Sequence, residues 1–156
     1  MGQMTLGEVF EAQREGRDLS GVDLSHLSIR QLDLTDIKAV GVVLRGRRRP
    51  AEAEDDPKVW DRYADGYVRT RWAQARMERA DLTEADLTWA PLNKGHLRGA
   101  VLRDAVLVEA DLRGCDLRDA DLCGADLTGA ILDDVDLRGA RWDERTRWPE
   151  GFEPPA

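Results

Sequence analysis

The chain has few of the residues that commonly provide cross-links or metal ligands. Only two of its 156 residues are cysteine and two are histidine, too few for a disulfide framework or a spaced Cys/His metal site. No run approaches the roughly 18 consecutive apolar residues of a membrane-spanning helix. The N-terminus also lacks the basic, then apolar, pattern of a signal peptide. We therefore expect a soluble cytoplasmic protein with no metal, no cofactor and no membrane contact.

Positive charge is also in short supply. Lysine and arginine total 23 against 31 acidic residues, a formal net charge of −8. Residues 1–44 carry a net charge of −3, residues 45–77 carry +3, and residues 78–156 carry −8. Affinity for a phosphate backbone requires a positive surface, so we expect no direct contact with nucleic acid.

Motifs for catalysis are missing as well. The chain contains no nucleophile elbow, P-loop or dinucleotide fingerprint. His26 and His96 lie far apart, and neither belongs to a metal-ligand spacing. Cys115 is expected to be a small buried residue, whereas Cys123 is expected to point outward, which disfavours a bridge between them. We therefore assign no catalytic residues and expect a protein that is not an enzyme.

The dominant pattern is a repeat with a period of five. Leucine occupies every fifth position from 82 to 137, and Trp142 takes the next one. A small residue stands two places before each leucine, and aspartate usually lies between them, as in Ala-Asp-Leu at 80–82. In an α-helix, a step of five rotates each successive leucine by about 140°. In a strand, an odd period sends alternate leucines to opposite faces.

The period of five excludes a regular helix and a regular strand, but it fits a four-sided coil in which every group of five residues forms one side. The leucine and the small residue then point inward, and four such groups complete one turn. The aspartate before each leucine can accept a hydrogen bond from the turning backbone, as Asx residues do. Stacked turns place the leucines in continuous columns about 4.8 Å apart.

The A-D-L-x-x pattern resembles the pentapeptide-repeat family over residues 78–142. The resemblance implies an all-β solenoid, a right-handed quadrilateral parallel β-helix. A weaker block precedes this region, with Leu19, Leu24, Ile29 and Leu34 as central residues and with Ala39 and Leu44 extending it. Its inward positions are bulkier than alanine, so we expect less regular coils there.

A single domain, residues 1–156, is therefore divided into five parts. The step from Leu44 to Met77 is not a multiple of five, and this mismatch predicts an insertion between two blocks of coils. The boundaries are as follows: a capping helix at 5–16, irregular coils at 17–44, the insertion at 45–76, regular coils at 77–142 and a C-terminal cap at 143–156.

The two ends have the composition of caps. Thr5 and Glu8 form a capping box at the start of a short helix, in which Leu6, Val9 and Phe10 share an apolar face. At the other end, a Trp- and Phe-containing segment has the composition of an apolar plug. A family resemblance is present here too, since members often end in a similar Trp-Pro-x-Gly-Phe segment. A capped end can also be the contact of a homodimer.

Because four groups of five residues make one turn, each outward-facing residue can be assigned to one of the four sides of the coil, and the sides differ in character. One side stacks Arg98, Arg118 and Arg138 among aspartates. The next is acidic, and its candidate partner residues are Asp81, Glu84, Asp104 and Asp121. The third is apolar, with Trp89, Val106 and Val108, and the fourth adds Pro91 and Ile131 to it. The apolar residues are either covered by the insertion or offered to a partner.

The insertion is rich in aromatic residues. It holds four of the nine in the chain, namely Trp60, Tyr63, Tyr67 and Trp72. We expect this cluster to pack against the side of the coil. Together with Trp89 and His96, these residues are the candidate lining of a pocket between the insertion and the coil.

Two classes of function follow. Some pentapeptide-repeat proteins imitate duplex DNA and bind type II topoisomerases such as DNA gyrase, protecting them from quinolones or toxins. The resemblance therefore implies a bacterial, non-catalytic protein-binding module whose partner is DNA gyrase or another type II topoisomerase, with a role in antibiotic or toxin resistance. The net charge and the interrupted coils fit this implication, whereas the short rod, the arginine side and the basic insertion do not. The alternative is an enzyme or accessory protein of a biosynthetic pathway that uses the predicted pocket.

Overall fold

The computed structural model describes residues 4–16, 18–24, 34–45 and 74–155. These residues contain one helix, α1, which spans Leu6–Arg14. The rest of the described chain forms isolated parallel β-bridges rather than extended strands. In these ranges, no helix has the length and apolarity needed to cross a membrane.

The bridges confirm the four-sided coil. Asp81 pairs with Val101, and Val101 with Asp121, so the residue numbers of bridged partners differ by 20. The same offset recurs at every fifth residue, starting from Asp86, Pro91 and His96. A turn therefore contains four groups of five. We name the sides by their bridging residues: side 1 through Asp81, side 2 through Asp86, side 3 through Pro91 and side 4 through His96.

The core lies on the axis of this coil. The central leucines from 82 to 127 are fully buried, and the last two, Leu132 and Leu137, are at most 8% exposed. The small residues two places before them are equally enclosed, as Ala85 and Ala105 illustrate. Burial of the Leu and Ala columns, the main prediction from the period of five, is confirmed. Because burying one leucine contributes about 2 kcal/mol, the stacked leucines dominate stability.

The corners are turned by the residue two places after each central leucine. At these positions φ is positive, from 54° at Asp104 to 73° at Gly139. Glycine adopts this left-handed region freely, whereas for other residues it costs about 1 kcal/mol or more. Among the described residues, ten other than glycine occupy it, so the coil holds them there against their own preference.

The aspartate before each leucine performs the predicted backbone role. The Asp81 carboxylate accepts a hydrogen bond from the backbone N–H of Thr83 at 3.2 Å, and Asp126 accepts one from that of Thr128 at 3.0 Å. The same bond joins Asp116 to Arg118 and Asp136 to Arg138. Much of the acidity of the chain is therefore engaged in its own turns.

The coil keeps its sides across the gap between the two blocks. Lys38 pairs with Asp81, and Val43 with Asp86. Paired residues across the gap differ by 43 in residue number, instead of the usual 20. The intervening chain is therefore longer than two turns of the coil. Gln74 donates its N–H to the Asn93 carbonyl at 3.1 Å, as Lys94 does to Arg113 on side 3. Described coil structure thus resumes at Gln74, inside the 45–76 range that we predicted as the insertion.

Helix α1 begins with the expected capping box. The Thr5 N–H donates to Glu8 Oε2 at 2.6 Å, and the Glu8 N–H donates to Thr5 Oγ1 at 3.4 Å. Val9 and Ala12 are buried in the same core cluster as Leu19. The prediction for Phe10 is wrong, because its side chain is 43% exposed. Ala12, one helical turn after Val9, takes the inward place on the helix instead.

Aromatic rings near the C-terminus contact one another. Trp142 and Trp148 meet edge to face with centroids 5.6 Å apart, and Trp148 stacks on Phe152 at 5.3 Å. All three pack partly buried against the core cluster. The final bridge, from Asp126 to Arg147, is one position longer than its predecessors, so a single extra residue is accommodated before the chain leaves the coil.

Candidate protein-binding surfaces

Asp121 on side 1 is not the exposed carboxylate that we predicted. It is only 5% exposed and receives hydrogen bonds from Arg103 Nε at 2.6 Å and Arg141 Nη2 at 2.8 Å. Burial alone would raise the pKa of Asp121, but hydrogen bonds from Cys123 and Arg103 outweigh it and lower the pKa to about 2. The arginines come from the coils before and after, so Asp121 ties three coils together and is enclosed by them.

The other predicted acidic residues of side 1 differ in their availability. Asp104 is exposed but forms an ion pair with Arg145 at 2.9 Å. Asp81 is half-buried and accepts hydrogen bonds from Thr83. Glu84 lies exposed at a corner with φ of 57°. Of the four candidates, Glu84 is therefore the one that side 1 presents most openly.

Side 4 is a ladder in which arginines and aspartates alternate. Arg118 pairs with Asp116 at 2.6 Å and with Asp136 of the next coil at 3.6 Å. Arg138 pairs with Asp136 at 2.6 Å, and its hydrogen bond lowers the pKa of Asp136 to about 2. Arg98 reaches Asp119 at 3.1 Å. The positive charges of side 4 are thus paired within the coil.

Sides 2 and 3 share an apolar strip, which we define as Trp89, Pro91, Val106 and Val108. All four are half-buried. The bridging column of side 2 runs from Asp86 through Val106 to Asp126, so a valine replaces an aspartate in one coil. Trp89 stands at the corner between the sides and donates its indole N–H to Glu109 Oε2 at 3.0 Å. The predicted apolar side is therefore a compact patch.

The predicted pocket between the insertion and the coil stays a prediction, because most of its proposed lining is not described. Trp60, Tyr63, Tyr67 and Trp72 lie outside the described residues. His96 is exposed on side 4, and Trp89 lies at the end of side 2. Sides 2 and 4 are opposite each other, with the leucine core between them. His96 and Trp89 therefore stand on different sides of the coil, with side 3 between them.

The C-terminal end carries a group of carboxylates that the sequence analysis did not choose as candidate partner residues. All are exposed, and none belongs to an ion pair within the described part of the chain. They are Asp133, Asp134, Glu144, Glu150 and Glu153. Their position could have revealed them, because Asp133 and Asp134 occupy the two places after a central leucine and not the place before it. There they cannot make the turn bond. We call this group the acidic end.

The cysteines agree with their predicted orientations. Cys115 is buried and donates to the Leu92 carbonyl at 2.9 Å, and burial raises the pKa of its thiol to about 12. Cys123 is partly exposed, and both thiols are free. Within residues 4–16, 18–24, 34–45 and 74–155, no group of three or more His, Cys, Asp or Glu side chains could hold a metal ion.

Comparison with known sequences adds the deciding observation. Eight copies of the family's repeat, described as pentapeptide repeats, match three overlapping stretches at residues 69–99, 80–119 and 105–141. Over residues 69–141, the chain is a match to the pentapeptide-repeat family. Members of this family form right-handed quadrilateral β-helices, and the constant register of the bridges agrees with that architecture. No curated protein sequence matches the chain.

Solved structures include several pentapeptide-repeat proteins similar to this one. The protein alr5209 from Nostoc PCC 7120 shares 25% identity, with a TM-score of 0.52, covering 98% of this chain and 92% of its own. HetL, involved in heterocyst differentiation regulation in Nostoc sp. strain PCC 7120, shares 25% identity with a TM-score of 0.42, covering 88% of this chain and 62% of its own. QnrB1, a plasmid-mediated fluoroquinolone resistance protein, shares 21% identity with a TM-score of 0.36, covering 82% of this chain and 61% of its own.

Proposed function

We propose that this pentapeptide-repeat protein is a non-catalytic binding module whose acidic end contacts a basic surface of a partner protein. The observation that carries the proposal is the contrast between two kinds of carboxylate. Those before the central leucines bond to their own turns, whereas those of the acidic end are exposed and outside any ion pair in the described chain. The second kind is available to a partner, as is Glu84 on side 1.

The rigidity of the scaffold supports this proposal. Asp133 follows the buried Leu132, and its carbonyl accepts a hydrogen bond from the Gly114 N–H at 2.8 Å. The backbone that carries the carboxylate is therefore held by the neighbouring coil. Charges fixed in this way lose little conformational entropy on binding. They also steer a basic partner into place from a distance.

The shape of the surface supports a protein partner over a small molecule. Small-molecule sites are concave and enclose most of their ligand. A continuous coil instead presents flat sides whose backbone groups are bonded to the next turn, as in the bond from the Asp121 N–H to the Ala100 carbonyl at 2.9 Å. Flat, charged surfaces of this kind suit contact with another macromolecule.

The ends of the coil also have proposed roles. Helix α1 buries Val9 and Ala12 against the first coil, and Trp142, Trp148 and Phe152 pack against the last one. We infer that these elements cap the solenoid, since an uncapped end would expose its leucine column to water. Contact between two capped ends of a homodimer is the alternative role.

The partner that we propose to test first is DNA gyrase, a type II topoisomerase, because the family resemblance raises it and its DNA-binding surface must be basic. DNA mimicry by side 1 is a weaker basis for this choice, since Asp121 is enclosed by arginines. The acidic end would make the contact instead. In this proposal the protein acts in the bacterial cytoplasm and confers resistance to a drug or toxin that targets gyrase.

A supercoiling assay with and without a fluoroquinolone tests the choice of partner. We expect the protein either to inhibit supercoiling or to protect gyrase from the drug at micromolar concentration. The variant Asp133→Asn, Asp134→Asn should be several-fold weaker. The control Glu11→Gln, Glu15→Gln removes the same number of charges from the opposite end of the chain and should act like the unmodified protein. No effect at tens of micromolar would exclude gyrase as the partner.

A further inference from the structure

On side 3, each regular coil binds the following coil through three backbone groups. Leu112 donates its N–H to the Ile131 carbonyl at 2.9 Å, and Gly114 donates to the Asp133 carbonyl at 2.8 Å. In return, Ile131 donates its N–H to the Ala110 carbonyl at 2.9 Å. Two N–H groups and one carbonyl of a coil therefore pair with the coil that follows it.

The same three groups of the last coil have no hydrogen bond within the described part of the chain. They are the N–H groups of Leu132 and Asp134 and the carbonyl of Ala130. The described tail at 148–155 does not replace a further coil, because its one backbone hydrogen bond runs within it, from Phe152 to Pro149. Unpaired groups in a row form an open sheet edge, which is a template for another strand. We call these three groups the open edge.

The side chains beside the open edge are acidic. Asp133 and Asp134 are exposed and outside any ion pair in the described chain. On side 4 of the last coil, the N–H groups of Leu137 and Gly139 also lack a hydrogen bond in the described residues. The residue between them is the exposed Arg138. A basic strand is therefore favoured on side 3 and disfavoured on side 4.

We infer that the partner of the acidic end contributes an extended basic segment, which pairs with the open edge as a parallel strand. This inference rests on the proposed function and adds the form of the partner's binding segment. Extended segments bind sheet edges through backbone hydrogen bonds, while their side chains provide specificity. A second copy of this chain is disfavoured as the occupant, because its own acidic end would bring like charges to the edge.

The geometry of the coil shows how the charges would meet. All bridges between described coils are parallel, and a strand added in the same way lies about 4.8 Å from the last coil. Its outward lysines or arginines then lie above Asp133. Basic and acidic residues of neighbouring coils already pair across this spacing, as Arg118 and Asp136 do at 3.6 Å.

Hydrogen exchange followed by NMR tests the contact in the full-length protein. The probe is a capped peptide, Lys-Val-Lys-Val-Lys, which is as long as one side of the coil, at millimolar concentration. With the peptide, the amide protons of Leu132 and Asp134 should exchange about ten-fold more slowly, whereas those of Leu137 and Gly139 should be unaffected. Protection of all four amides, or of none, would overturn the inference. Protection that needs no peptide and grows with protein concentration would also overturn it, because the occupant would then be a second copy.

Backbone methylation gives a matched pair of control peptides with the same charge. In a parallel strand whose lysines face outward, the lysine N–H groups point to the coil and the valine N–H groups point away, as those of Ile131 and Leu132 do. Methylation of the lysine nitrogens should therefore abolish protection, and methylation of the valine nitrogens should leave it intact. Equal effects of the two methylations would rule out the parallel strand.

Charge variants separate this inference from the proposed function. Asp133→Asn, Asp134→Asn should weaken peptide binding several-fold, and the control Glu11→Gln, Glu15→Gln should not. Charge-dependent binding without protection of Leu132 and Asp134 would refute strand pairing and leave the acidic end as the binding surface. Binding of gyrase but not of the peptide would have the same meaning. If neither gyrase nor the peptide bound, the proposed function would fail together with the inference.

Discussion

A β-carbon added at Gly95 would lie 3.6 Å from the Sγ atom of Cys115 and 2.7 Å from the carbonyl oxygen of Leu92. Cys115 sits one full turn after Gly95, in the same inward column, and its thiol reaches that same carbonyl at 2.9 Å. The glycine therefore leaves the space that the larger cysteine uses. This relationship gives a specific test of how tightly the core is packed.

Gly95→Ala should destabilise the protein by about 1–3 kcal/mol, the range for overpacking a core. The contact to the Leu92 oxygen involves backbone and cannot be relieved by a rotamer change. Cys115→Ala should cost about 1 kcal/mol through its lost hydrogen bond. Urea unfolding of both variants measures these values. If Gly95→Ala left the free energy of unfolding unchanged, the described packing of this column would be incorrect.

Alanine substitutions at the corner glycines should destabilise the protein to different extents, depending on which atoms lie next to the new β-carbon. A β-carbon at Gly139 would lie 2.5 Å from Asp119 Oδ1, whereas one at Gly41 would have no neighbour within 4 Å. Both residues have positive φ, 73° and 63°, so both alanine variants share the left-handed penalty of about 1 kcal/mol. We expect Gly139→Ala to cost roughly 1 kcal/mol more than Gly41→Ala, because overpacking adds to that penalty.

A double-mutant cycle isolates the cause of that difference. Asp119→Ala should recover most of the additional loss in the Gly139→Ala background. Chemical denaturation of the single and double variants provides the four free energies. Additive effects would mean that the Asp119 side chain does not lie over Gly139.

Asp121 makes the free energy of unfolding depend on pH in the acidic range. Its folded pKa is about 2, against an unfolded value of about 3.9. Because the folded pKa is the lower one, the stabilisation is complete above about pH 4 and is lost as the pH falls toward 2. Asp136, also with a pKa of about 2, contributes in the same direction. The free energy of unfolding should therefore decrease steadily between pH 4 and pH 2.

Asp121→Asn assigns this acid sensitivity to its site. At pH 7 we expect a loss of about 1–2 kcal/mol, because Arg103 and Arg141 lose their charged acceptor. The decline between pH 4 and 2 should also become shallower. Asp134→Asn, at an exposed corner, should change neither quantity. Unfolding curves at pH 7, 4, 3 and 2 provide the comparison, and an unchanged pH profile for Asp121→Asn would contradict the assignment.

The register across the gap predicts a deletion that the coil tolerates. Removing residues 47–69 reduces the offset of 43 across the gap to the offset of 20 between neighbouring coils. Removing 47–68 instead leaves one residue too many and sends the following side out of phase. Far-ultraviolet circular dichroism and thermal melts should show a cooperative fold for the first deletion and a melting temperature several degrees lower for the second. Equal melting temperatures would argue against the continuous register.

The core of this protein could be predicted from the sequence because one constraint is repeated many times. An odd period of five excludes helix and strand, so the inward placement of Leu87 and Ala85 follows from counting. The turn bonds of Asp81 and Asp126 follow for the same reason. The error at Phe10 arose in α1, where only a few residues decide which side faces the core.

The surface was harder to predict, because it depends on partners that are distant in sequence. Asp121 has the same local sequence as other repeats, and only the arginines of adjacent coils enclose it. Asp104 is likewise unavailable to a partner, because it forms an ion pair with Arg145. By contrast, the placement of His96 and Trp89 on different sides of the coil follows directly from four groups of five residues per turn. For Asp121 and Asp104, pairing with arginines of other coils makes the carboxylate unavailable.

Direct binding of gyrase to the immobilised protein tests the central claim, that the acidic end contacts a basic partner. At low salt we expect micromolar or tighter affinity that weakens as ionic strength rises, since exposed charges are screened. Asp133→Asn, Asp134→Asn should bind about five- to ten-fold more weakly, at up to about 1 kcal/mol per exposed charge. Glu11→Gln, Glu15→Gln should bind normally. Absent binding, or equal affinity for the two variants, would contradict the account.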